Sequence, residues 1–135
     1  MIISNNGLIN LDYTPATDIL AVELPDIRKF SISEVERSLE LVVEAITSYD
    51  IKKLFLDSSK AVIEVDDEEY RSVIMKFSRQ LLATRLQKLA RVGSQVAAQE
   101  ERAARLAEEI TQRGTLPVQY HNFSTKAEAM SWLMA

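Results

Sequence analysis

Three times in this chain a short acceptor side chain is followed three residues later by glutamate, between a strand-like apolar run and a helical repeat: Ser31 with Glu34, Asp66 with Glu69, and Thr125 with Glu128. In such a capping box each side chain satisfies a backbone donor that the first helical turn would leave unpaired, so the pair marks where a helix starts. Helices that begin directly after strand-like runs must alternate with strands. Such a chain builds an α/β domain rather than a helix bundle or a sandwich.

The remaining elements follow from periodicity and breakers. Residues 8–13 and 19–24 read as strands joined by the turn-rich Thr14-Pro15-Ala16-Thr17-Asp18, an antiparallel hairpin that Pro25 ends. The helix opened by Ser31 runs to about Ser48, with Val35, Leu39, Val42, Val43 and Ile46 on one face and Glu36, Arg37, Glu40 and Glu44 on the other. Residues 51–56 form a third strand, and the helix after Asp66 buries Tyr70, Val73, Ile74, Phe77 and Leu81. Residues 89–92 make a short strand before the Gly93-Ser94 break.

The next helix spans 95–113, with Val96, Ala103, Leu106, Ala107 and Ile110 inward and Glu101, Arg105, Glu109 and Arg113 as an i,i+4 charge ladder. Gly114 closes it and Pro117 prevents its resumption. Residues 118–123 form the last strand, and the terminal helix carries Trp132 and Leu133. The order β-β-α-β-α-β-α-β-α, joined by right-handed crossovers, predicts one α/β domain over 1–135. Its sheet is five-stranded and mainly parallel, with an N-terminal antiparallel hairpin and four helices.

The 135 residues suffice for one core and not for two. Sixteen basic against twenty acidic residues, a formal charge of -4, oppose broad phosphate neutralisation, so no nucleic-acid partner is expected. The chain has no cysteine, which removes thiolate metal sites and cysteine nucleophiles and suits a reducing, cytoplasmic setting. The first residues lack the pattern of a secretory signal, and no apolar run approaches the ~20 residues of a membrane span, so no membrane insertion is expected. A single histidine, His121, excludes metal sites built on several imidazoles, and three glycines leave no phosphate-cradling loop. No cofactor and no enzymatic activity are therefore expected.

The third strand ends in Asp57-Ser58-Ser59. With the order of elements, this resembles the STAS domain, the fold of bacterial anti-sigma-factor antagonists and of the cytoplasmic tails of sulfate transporters. The closing strand and helix, from Tyr120-His121-Asn122-Phe123 to Trp132-Leu133, look similar to a STAS-related group of small bacterial proteins. The resemblance implies a non-enzymatic protein-interaction module. In the antagonists the serine that matches Ser59 is phosphorylated by a partner kinase, and the phosphate breaks the complex. Here Lys60-Ala61-Val62-Ile63-Glu64 stands where the antagonists have Gly-Leu-Gly, and the next helix starts only near Asp66. A phosphate on Ser59 would thus lack the helix N-terminus that stabilises it.

Several side chains are candidates for function. Ser59 and Ser58 are candidate phosphoacceptors, against the commoner role of hydroxyls that satisfy a loop. Asp57 is better read as a turn acceptor than as a general base. Together with Ala61, Val62, Ile63 and Val65 it marks a candidate interaction surface, because β-branched aliphatics in a connection must cover the core, form an edge or meet a partner. Arg85, Lys88 and Arg91, near Arg79, are candidate anion contacts, weighed against a solvated charged face.

The function expected is regulatory protein interaction, including self-association as a homodimer through the hairpin edge or the apolar loop. The alternative is a small lipophilic or anionic ligand held in a Sec14-related arrangement, which an apolar cavity near Phe55, Phe77 and Trp132 would favour.

Overall fold

In the sheet the strands lie side by side in the order in which the chain makes them. The computed structural model describes residues 2–5, 9–24, 31–61, 66–94, 96–112 and 118–135. Pro25, Gln95, Arg113, Gly114 and Pro117, and the loop residues Val62, Ile63 and Val65, lie outside the described residues. The elements are β1 (Ile2–Asn5), β2 (Asn10–Thr14), β3 (Ile19–Glu23), α1 (Ile32–Ser48), β4 (Lys53–Asp57), α2 (Asp67–Leu81), β5 (Lys88–Val92), α3 (Ala97–Gln112), β6 (Gln119–Phe123) and α4 (Lys126–Met134).

β2 and β3 form the expected hairpin, and β3, β4, β5 and β6 run parallel. The α/β fold, its mainly parallel sheet and its four helices are those the periodicity predicts. One strand is additional. β1 pairs antiparallel with the outer edge of β2, with a shift of register between Ile2 and Ser4. The hairpin edge proposed for self-association is therefore occupied by the chain itself.

Register sets which side chains share a face. Leu20, Leu54, Leu89 and Tyr120 align across the parallel strands, as do Val22, Leu56, Arg91 and Asn122. The aliphatic members of these rows pack with Leu39, Val42 and Ile46 of α1 and Val73, Phe77 and Leu81 of α2 in the larger core. The alternate residues Ile19, Phe55, Ala90 and Val92 point the other way, because strand side chains alternate, and pack with Ala129 and Leu133 of α4. Three helices thus cover one face and a single short helix the other. The strand order never reverses among the parallel strands, so the sheet has no topological switch point of the kind that opens a crevice in doubly wound folds.

The helix starts fall where the caps predict. Ser31 and Glu34 complete a reciprocal box at α1. Asp66 and Thr125 each accept the backbone N–H of the residue three further on. Among the described residues no helix is long and apolar enough to cross a membrane.

α3 is tied to α2 by charge: Glu109 pairs with Arg71, and Arg102 pairs with Asp67 at 3.2 Å. Val96, expected on the inner stripe, precedes the helix and is exposed. Leu106 and Ile110 are buried as predicted.

Candidate functional site

The end of β4 is closed by its own side chains. Asp57 Oδ1 accepts the Ser59 backbone N–H at 3.0 Å and the Ser59 hydroxyl at 2.6 Å, which is how a short carboxylate stabilises a turn. Ser58 continues the sheet by donating its N–H to the Val92 carbonyl, and only 3% of its surface is exposed. A buried hydroxyl is out of reach of a modifying enzyme in this conformation. Of the two candidate phosphoacceptors, only Ser59 is partly exposed, and its hydroxyl is engaged by Asp57. Ala61 is buried too, and its carbonyl accepts from Gln99 Nε2 at 3.0 Å, so it covers the core rather than offering a surface.

The candidate anion contacts do not converge. Lys88 and Arg91 are three residues apart on one strand, and an odd spacing sends them to opposite faces of the sheet. Lys88 Nζ donates to the carbonyls of Trp132 and Ala135 at the end of α4 and lies over the Trp132 ring. Arg85 pairs with Asp50 at 3.0 Å. Arg91 enters the face covered by α1, α2 and α3, where its side chain is 10% exposed.

Arg91 is the centre of a buried polar group. Its two terminal nitrogens donate to the two oxygens of Glu100, both at 2.9 Å, and Nη1 also donates to Asn122 Oδ1 at 3.2 Å. The Ser94 backbone N–H donates to Glu100 Oε2 at 3.1 Å. Tyr120 adds its hydroxyl to the same acceptor, Asn122 Oδ1, at 3.1 Å. Burial alone would push the Glu100 carboxyl up, but the Arg91 guanidinium and the Ser94 N–H outweigh it and hold the carboxyl below its usual range. Burial likewise raises the Tyr70 and Tyr120 hydroxyls above the ordinary phenol value, against the opposing charge of Arg91. Both tyrosines stay protonated near neutral pH.

This group borders a cavity. A space of about 260 Å³ lies between the sheet, α2 and α3. Its wall is aliphatic along Ile74, Leu81, Leu89, Leu106, Ile110 and Val118, and Ala103 and Ala107 of α3 are too small to fill it. Ser58, Tyr70, Ser78, Arg91 and Tyr120 supply the polar lining. Ser58 and Ser78, 3% and 7% exposed, place two hydroxyl-bearing side chains in this lining.

The chain matches no family model, no curated protein and no solved structure.

The cavity is not quite where it was expected. Phe77 lines it, whereas Phe55 packs on the opposite face of the sheet, against α4, where Trp132 also lies. The His121 ring lies tilted against Trp132, 4.8 Å between centroids, on that same opposite face, so it does not meet Ser58. Among the described residues no group of three or more histidine or carboxylate side chains gathers in a way that would hold a metal.

Glu100 and the position of the cavity between α2 and α3 are what sequence reasoning missed. One signal was present: Arg91 shares the parity of Leu89, which puts it on the face of β5 that the helices cover.

Proposed function

We propose that this chain is a non-enzymatic binding domain that holds a small lipophilic molecule between α2 and α3. The observation that carries the proposal is the cavity, with its aliphatic wall and the few polar side chains, Ser58, Ser78, Tyr70, Tyr120 and Arg91, in its lining. Predominantly apolar enclosures with a few oriented polar groups are how proteins hold small ligands. The successive parallel strands with three helices on one face support the STAS-like, Sec14-related reading of the fold, in which binding rather than catalysis is the activity.

Native mass spectrometry of protein purified from its source, with extraction and identification of bound molecules, tests this reading. A bound small molecule that Ala103→Leu displaces is the expected result. Ligand-free protein that no apolar compound stabilises, together with a more stable Ala103→Leu variant, would mean that the space is only a packing defect.

A second reading has its own observation. β6 is hydrogen-bonded to β5 alone and forms one edge of the sheet, and Gln119–Phe123 carries none of the lysines or prolines that usually protect such an edge. Self-association or partner docking by strand addition there would retain the interaction role implied by the STAS resemblance. Sedimentation equilibrium of the chain and of Gln119→Lys tests it, with a dimer weakened by the added charge as the supporting result and a monomer at all concentrations as the opposing one.

A further inference from the structure

We infer that the cavity between α2 and α3 selects a short, uncharged amphiphile of the medium-chain alcohol class, with its hydroxyl at the Ser58 end and its hydrocarbon against Leu81, Leu89 and Val118. The inference rests on the ligand-binding reading above and specifies its chemistry.

Size sets the first limit. An apolar protein cavity of about 150 Å³ holds one benzene, so the present 260 Å³ accommodates roughly ten non-hydrogen atoms. A long-chain fatty acid or a phospholipid would overflow it. Position sets the second. Ser58 and Arg91 stand at the C-terminal ends of β4 and β5, whereas Leu81 closes α2 just ahead of β5, and Val118 directly precedes β6. The cavity therefore has Ser58 and Arg91 at one end and Leu81 and Val118 at the other, with Ser78 one turn from Leu81.

Charge sets the third limit and separates the lipophilic from the anionic alternative. Among the described residues Arg91 is the one formally charged side chain lining the cavity, and both of its terminal nitrogens are already held by the carboxylate of Glu100. An entering carboxylate would have to displace Glu100 or lie beside it as a like charge, at a cost that low local polarity enlarges. A cation finds no carboxylate among the described lining residues. An alcohol meets neither penalty, and its hydroxyl both donates and accepts, which matches the hydroxyl of Ser58 in the lining.

Isothermal titration of the full chain with 1-octanol and with octanoate, at pH 7 and matched chain length, tests the inference. Octanol is expected to bind at least about tenfold more tightly than octanoate. In Glu100→Gln, which leaves the guanidinium without its counter-charge, the preference should shrink or reverse. Octanoate binding to the unaltered chain as tightly as octanol would overturn the uncharged class while leaving ligand binding intact. Binding of a long-chain phospholipid vesicle component, but of neither probe, would overturn the size limit alone. If Glu100→Gln does not fold, the comparison on the unaltered chain still decides. Should no probe bind and Ala103→Leu simply stabilise the protein, the inference falls together with the reading on which it rests.

Discussion

The carboxylate of Glu100 lies directly against the Cα of Gly93: a Cβ built at that glycine would stand 2.1 Å from Oε1 and 2.8 Å from Cδ. The same carboxylate neutralises Arg91, so the smallest residue of the strand-to-helix connection is what lets the buried ion pair close.

Gly93→Ala should therefore act at a distance from its own backbone, by pushing Glu100 off Arg91. A loss of about 2–4 kcal/mol is expected in urea denaturation, somewhat under the ~3–5 kcal/mol for a fully broken buried pair, because the displaced carboxylate can shift without leaving Arg91 altogether. In a double-mutant cycle with Glu100→Ala, most of that loss should disappear, because the group that the new methyl displaces is already gone. Additive losses would place the cost in the backbone instead.

The ion pair itself should be expensive to break and cheap to replace. Arg91→Met or Glu100→Leu alone leaves one buried charge uncompensated, and about 3–5 kcal/mol is expected for each, less for Arg91→Met because the Glu100 side chain it leaves behind is 31% exposed, against 10% for Arg91. The double variant Arg91→Met/Glu100→Leu should recover most of the stability. Thermal midpoints of the three variants decide the point.

Acid should weaken the fold through Glu100. Its carboxyl is held below the usual range in the folded state, so the folded chain binds fewer protons than the unfolded one at mildly acidic pH. The stabilisation is fully present above the unfolded carboxyl value of about 4.3 and is lost as pH falls through the lower folded value. Asp50, held low chiefly by its hydrogen bond from Lys52, responds in the same direction. Urea midpoints measured from about pH 6 down to pH 3 should fall less steeply in Glu100→Gln than in the unaltered chain. Parallel profiles would remove Glu100 from the account.

α4 should loosen without Lys88. The Lys88 ammonium donates to two carbonyls at the C-terminal end of α4, where a positive charge is favoured by the helix dipole. Lys88→Met is expected to cost about 1 kcal/mol and to raise hydrogen exchange in residues 129–134 ahead of the rest of the protein. Uniform protection across the chain would contradict this.

The five strands from β2 to β6 and the four helices were legible because each is announced locally, by caps such as Ser31-Glu34 or by stripes such as Val73-Phe77-Leu81. β1 was not, since Ile2-Ile3 is too short to show a period and its place is set by pairing with β2. Charged side chains were legible in kind but not in destination. Parity alone separates Lys88 from Arg91, whereas the meeting of Arg91 with Glu100 depends on how α3 turns after Gly93. The cavity is further still from the sequence: Ala103 and Ala107 are good helix formers that also leave space, and only the spacing of α2, α3 and the sheet decides that the space stays open.

The match between chain order and strand order bears on how quickly this fold forms. Each strand pairs with the one made just before it, so every pairing closes the shortest loop this order of elements allows, and shorter loops favour faster folding. During synthesis, every strand from β2 onward finds its neighbour already made, and the sheet extends from β1 towards β6 without rearranging what came before.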